Sequence, residues 1–119
     1  MKNLLLVLLF ASTSSFASDE WSREDTYREA AYLALHTLDW AQTREIARNP
    51  DKWHEQTSFL GSHPSTGQVD QYFVATTALQ FIIAYTLPAE YRKAFQYISI
   101  GHDAGYVAHN FSIGISVKF

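Results

Sequence analysis

Apolar and polar positions change their rhythm along this chain. Behind Met1-Lys2-Asn3, residues Leu4 to Phe10 form an unbroken apolar run, followed by a small, polar stretch ending Ser15-Phe16-Ala17. From Trp21 to about Ala47 good helix formers continue without Gly or Pro, and a charged opening gives way to Leu35, Leu38, Trp40 and Ile46. This pattern predicts a first helix, solvated in its early turns and buried in its later ones. Asn49-Pro50 stops it, because proline disfavours helix in the residue before it, and Asn49 can cap a short turn from Pro50 to Trp53. Gly61, Pro64 and Gly67 mark a loop.

Ser65-Thr66-Gly67-Gln68 has the form of a capping box, so a second helix is expected from about Thr66 to Thr86. Pro88 ends it and can open a third, from about Ala89 to Asn110. So short a join predicts an antiparallel hairpin. Phe111, Ile113, Ile115, Val117 and Phe119 then alternate with Ser112, Gly114, Ser116 and Lys118, a period of two that predicts one half-buried strand. The expected fold class is mainly α: a small three-helix bundle with a helical hairpin and a short C-terminal β-like segment.

The opening residues read as a secretory signal peptide: a basic start, a short apolar core and a small-x-small site ending at Ala17. Residues 1–17 are therefore expected to be removed and 18–119 to form a single helical domain, exported to the periplasm or the inner membrane. The apolar core is too short to be an anchor. Without cysteine, neither a disulfide nor a thioether-linked lipid is possible. The chain has nine Lys plus Arg and twelve Asp plus Glu; losing Lys2 leaves eight against twelve, a net charge near −4. No basic cluster appears, which argues against a nucleic-acid partner.

The run from Tyr72 to Leu87 is about the minimum length for a membrane span, but it holds Gln80 and several threonines. A central helix covered by its neighbours accommodates that polarity, so a soluble or peripheral chain and a polytopic one both remain open. Gly101 and Gly105, four apart on the third helix, would let a second copy approach closely and suggest a homo-oligomer.

Known catalytic motifs fail. His54-Glu55-Gln56-Thr57-Ser58 begins like a zinc-protease helix but has Ser58 where the second histidine belongs, and the loop from Gly61 to Gln68 lacks a phosphate-binding lysine. No metal and no cofactor are expected. Polar residues set into apolar faces remain: His36, Asp39 and Thr43 on the first helix, and His102, Tyr106 and His109 on the third. If those faces met, His36, Asp39, His102 and His109 would be candidates for an acid/base site or a two-histidine, one-carboxylate metal site. The simpler expectation is a structural polar network of Asp39, Thr43 and Glu55. In it Asp39 stays buried and ionised and accepts backbone N–H bonds from the connection between Arg48 and Pro64.

Asp39-Trp40-Ala41-Gln42-Thr43, followed by His54-Glu55 and Leu60-Gly61-Ser62-His63-Pro64, resembles a pattern in uncharacterised small helical exported or membrane proteins of bacteria and their phages. There, Asp-x-x-x-Thr on a first helix precedes Glu-x-Asn-Pro and a Leu-Gly pair; here Gln56-Thr57 stands in the Asn-Pro place. The resemblance implies a small envelope protein and brings no activity. The leading expectation is a non-enzymatic envelope protein acting through contact with another envelope protein or the membrane surface. The alternative is a small metal-dependent or acid/base enzyme using the His/Asp cluster.

Overall fold

The computed structural model describes residues 20–55 and 59–117, so the expected leader at residues 1–17 lies outside the described part. Three helices make up the bundle: α1 (Arg23–Arg48), α2 (Thr66–Thr86) and α3 (Ala89–Ser112). Two of them begin with reciprocal caps. The Asp25 N–H donates to Ser22 Oγ at 3.0 Å and the Ser22 N–H to Asp25 Oδ2 at 2.9 Å. Ser65 and Gln68 repeat the arrangement at 3.1 and 2.9 Å. Each box satisfies two backbone donors that a bare helix start leaves unused.

Asn49 closes α1 rather than only opening the next turn: its amide donates to the Glu45 carbonyl at 2.9 Å, and its own carbonyl accepts from Lys52 and Trp53. Pro88 is the N-cap of α3, one position before the helix proper, and its carbonyl accepts the Arg92 N–H at 2.8 Å. With only Leu87 and Pro88 between them, α2 and α3 form the hairpin.

The expected C-terminal strand does not form, and no strand occurs among the described residues. α3 instead runs on through Phe111 and Ser112. It ends in a Schellman turn: Gly114 N–H donates to the Phe111 carbonyl at 3.1 Å and Ile115 N–H to the Asn110 carbonyl at 3.0 Å. Gly114 takes φ +90°, which costs a residue with a Cβ strain, and Ile115 folds back into the core at 2% exposure. The alternation of apolar residues is thus the end of a helix plus one apolar plug. Gly114→Ala should lower stability by about 1 kcal/mol, read as a melting-temperature drop of a few degrees; an unchanged melting curve would show that the turn is not needed.

The interior of the bundle is unusually polar. Asp25, Glu29, Gln42, Thr43, Arg92, Gln96, Asp103 and Asn110 are all buried, alongside Tyr32, Ala41, Ile46, Val69, Phe73 and Val107. Apart from Thr43, which bonds back to Asp39 one turn earlier, these polar groups bond across helices. Gln42 spans from the Val107 carbonyl (3.3 Å) to Asn110 (3.0 Å). Gln96 joins the Asp25 carbonyl (3.0 Å), Glu29 (3.1 Å) and Arg28 (2.8 Å).

Large apolar side chains lie outside: Val74, Leu79, Phe81 and Ile82 on α2, and Tyr97 and Ile98 on α3, are exposed. No described helix is long and apolar enough to cross a membrane. Gly101 and Gly105 are exposed, and a Cβ built on either would meet nothing within 4 Å, so no close approach inside the bundle requires glycine there.

Candidate functional site

α1 packs along both other helices, whereas α2 and α3 touch one another least. A cavity of about 520 Å³, lined by residues of all three helices, occupies the space left between them. His36 is part of its lining. One turn before it on α1, Tyr32 stacks on the imidazole at 4.9 Å, and Phe73 of α2 packs against it at 4.8 Å. Held this way, the ring presents both nitrogens to partners on the other helices. Nδ1 lies 2.7 Å from Asp103 Oδ2 on α3, and Nε2 lies 2.9 Å from Thr76 Oγ1 on α2.

Those contacts restrict where protons can sit. A carboxylate only accepts, so Nδ1 donates to Asp103. The Thr76 hydroxyl has one hydrogen and three acceptors in reach: His36 Nε2, and in the preceding turn the Tyr72 carbonyl at 2.8 Å and the more distant Phe73 carbonyl at 3.3 Å. When Thr76 donates to Nε2 the ring is neutral; when it donates to Tyr72, Nε2 can donate to Thr76 and the ring is charged. The hydroxyl therefore accommodates either protonation state of His36 by rotating.

Asp39 lies one turn beyond His36 and also lines the cavity. Ligand atoms of His36, Asp39 and Asp103 all fall within 4.8 Å of one another. Asp39 is half-buried and accepts a side-chain hydrogen bond from Thr43 at 3.3 Å, with no backbone donor of the following loop bonded to it among the described residues. Burial, and then the like charges of Asp103 and Glu55, push its carboxyl up to about 7, against the smaller opposing effects of His36 and Thr43. Of the expected Asp39, Thr43 and Glu55 network, the described residues show the bond between Thr43 and Asp39. Glu55 itself is buried, and its N–H donates to the Ser62 carbonyl at 2.8 Å, closing the loop on itself.

Burial and the charge of Asp103 likewise raise the phenol of Tyr32 above its ordinary value. Tyr72 shifts upward through burial and the charge of Asp39. Among the described residues, no lysine or arginine lines the cavity.

His102 also borders the cavity, but its side chain is 64% exposed and its Nδ1 is 3.4 Å from Asp103 Oδ1. His109 faces away from this site, toward a crevice shared with His54 and Glu55. Of the sequence candidates the structure joins His36 with Asp39 and leaves His102 at the rim. The third central member is Asp103, adjacent in sequence to His102, and the fourth is Thr76; neither was singled out by motif reading. The chain matches no protein-family model, and no curated protein or solved structure is similar to it.

Proposed function

We propose that the cavity is the working site of this protein and that it performs acid/base chemistry on a small molecule. The observation that carries this reading is His36, fixed through both ring nitrogens between Asp103 and Thr76 beside a carboxyl poised near neutrality. A carboxylate behind imidazole Nδ1 sets the tautomer and turns Nε2 toward Thr76, while Asp39 can give or take a proton at physiological pH. Asp103 acts as a positioning residue and His36 and Asp39 as the proton carriers. Thr76 supports the ring; its hydroxyl sits in the middle of a helix, where no backbone N–H is left over to stabilise an oxyanion, so acyl transfer from it is not proposed.

The measurement that tests this is a carboxyl and imidazole NMR titration of the exported protein. Asp39 should titrate near 7, and Asp103→Asn should lower that midpoint by removing a neighbouring negative charge. An Asp39 that titrates near 4 in the parent would defeat the proposal.

A metal-dependent variant of the same site is favoured by the convergence of His36, Asp39 and Asp103, since imidazole and two carboxylates suit zinc, iron or manganese. Retention of one equivalent of such an ion, lost in Asp39→Asn, would identify it. The exposed apolar side chains on α2 and α3 support placing this activity in the cell envelope, against a membrane surface or another envelope protein, after export of the chain.

A further inference from the structure

Gln80 lies one turn beyond Thr76 on α2 and lines the same cavity. Its side chain is only 6% exposed, yet neither its carbonyl oxygen nor its amide nitrogen has a hydrogen-bond partner among the described residues. Two other buried amides behave differently: Gln42 and Gln96 use both ends of their side chains within the bundle. A buried amide without partners works against folding, and a leucine of similar volume would relieve the cost. Gln80 is therefore a polar group that the fold itself does not use, on a residue that lines the cavity; its amide atoms have almost no accessible surface, so a ligand meets them only when the side chain turns into that space.

The surroundings of Gln80 indicate what it would meet there. The cavity lining combines His36, Asp39 and Asp103 with the apolar Leu79, Ile83, Phe95 and Ile98, of which Leu79 and Ile98 are also open to solvent. Along α2, Gln80 comes one turn after Thr76 and three residues before Ile83. Asp39 and Asp103, with Glu55 close enough to raise Asp39, give the site negative character, and no lysine or arginine among the described lining residues offsets it. An anionic head group such as a carboxylate or phosphate is repelled by such a site. A carboxamide side chain offers an acceptor and a donor side by side, and the group that satisfies both at once is uncharged and carries the same pair in reverse.

We propose that the cavity binds an uncharged amphiphile, with its polar group, of the primary carboxamide kind, paired to Gln80 and its apolar part along Leu79, Ile83, Phe95 and Ile98. This assignment rests on the cavity being the working site. It adds the class of molecule presented to His36 and Asp39.

Isothermal titration of the exported protein at pH 8 with octanamide and with octanoate, which share a chain length and differ in head group, tests it. Octanamide should bind roughly tenfold more tightly than octanoate. Gln80→Leu should weaken octanamide roughly tenfold while melting at the same temperature as the parent or higher, since a buried unsatisfied amide has been removed. Equal affinity for octanoate, no binding of octanamide at millimolar concentration, or a Gln80→Leu variant that binds octanamide as the parent does would each overturn the proposal. Failure of the acid/base reading shows separately, as an Asp39 midpoint near 4 in the ligand-free protein, and leaves the Gln80 result standing.

Discussion

Arg92→Ala should abolish folding or lower the melting temperature by roughly 15 °C or more, the largest loss expected from any single substitution in this chain. Arg92 is 1% exposed, and its guanidinium joins all three helices. Nε donates to the Ala84 carbonyl at 2.7 Å and Nη2 to the Tyr85 carbonyl at 3.2 Å, both at the end of α2. Nη1 donates to Asp25 Oδ2 at 2.7 Å on α1. Trp21 covers the guanidinium, with its ring centre 5.1 Å away.

Truncation would leave the Ala84 and Tyr85 carbonyls without this donor and Asp25 with only Arg28 and the Ser22 N–H, and breaking a buried pair from one side costs about 3–5 kcal/mol. Arg92→Lys keeps the charge but loses the fork, so it should recover less than half of the loss. Burial pushes the Asp25 carboxyl upward, but bonds from Ser22 and Arg92 outweigh this and the net shift is downward from 3.8. A lowered folded pKa means that this contribution is present above about pH 4 and is lost as pH falls below it. Thermal unfolding followed by circular dichroism between pH 2 and 8 checks both the variant and the sign. An Arg92→Ala protein melting within a few degrees of the parent would show that the network is dispensable.

Asp39→Asn should do the opposite and stabilise the protein at pH 8. With its folded pKa raised from 3.8 to about 7, Asp39 holds a proton in the native state that the unfolded chain has already released. Native protein thus binds more protons than unfolded protein between about pH 4 and pH 7, and stability falls as pH rises through that window. The full shift of about three units corresponds to about 4 kcal/mol; water reaching the half-buried carboxyl reduces this to about 2 kcal/mol. The variant should therefore melt roughly 10 °C above the parent at pH 8 and coincide with it at pH 4. A variant less stable than the parent at pH 8 would mean that ionised Asp39 has a stabilising partner, and the proton-exchange role would have to be given up.

The contrast between these two carboxylates shows what could be read from the sequence. Helix boundaries were legible because they depend on local chemistry: Ser65 with Gln68, Asn49 before Pro50, and Pro88 all act within one turn. The end of α3 was misread because Ile113, Ile115 and Val117 alternate as strand residues do, and only Gly114 at positive φ distinguishes a helix stop from a strand. His36 and Asp39 stood out as polar residues on an apolar stretch. Asp103 and Thr76 did not, since their roles depend on the register of α2 and α3 against α1, which no local pattern carries.

A further signal was present and easily overlooked. Arg92, Gln96, Asp103 and Asn110 are spaced by four, seven and seven residues, the period of a buried helix face, although every one is polar. Reading only apolar residues for that period hides the inward face of α3. Whether Asp25 is driven to ionise or Asp39 to stay protonated was beyond any sequence reading, because Arg92 reaches only the first of them.

The site is divided among three helices, His36 and Asp39 on α1, Thr76 and Gln80 on α2, and Asp103 on α3. No fragment of the chain contains it, and it vanishes when α1 leaves the other two. Occupancy and global folding are therefore one equilibrium: a ligand held only by the assembled bundle adds RT ln(1 + [L]/Kd) to stability, about 2.7 kcal/mol at a hundredfold excess over Kd. A library of small molecules can accordingly be sorted by heating alone, before any reaction is known, and the compounds that raise the unfolding temperature of the parent but not of Gln80→Leu would describe the natural ligand.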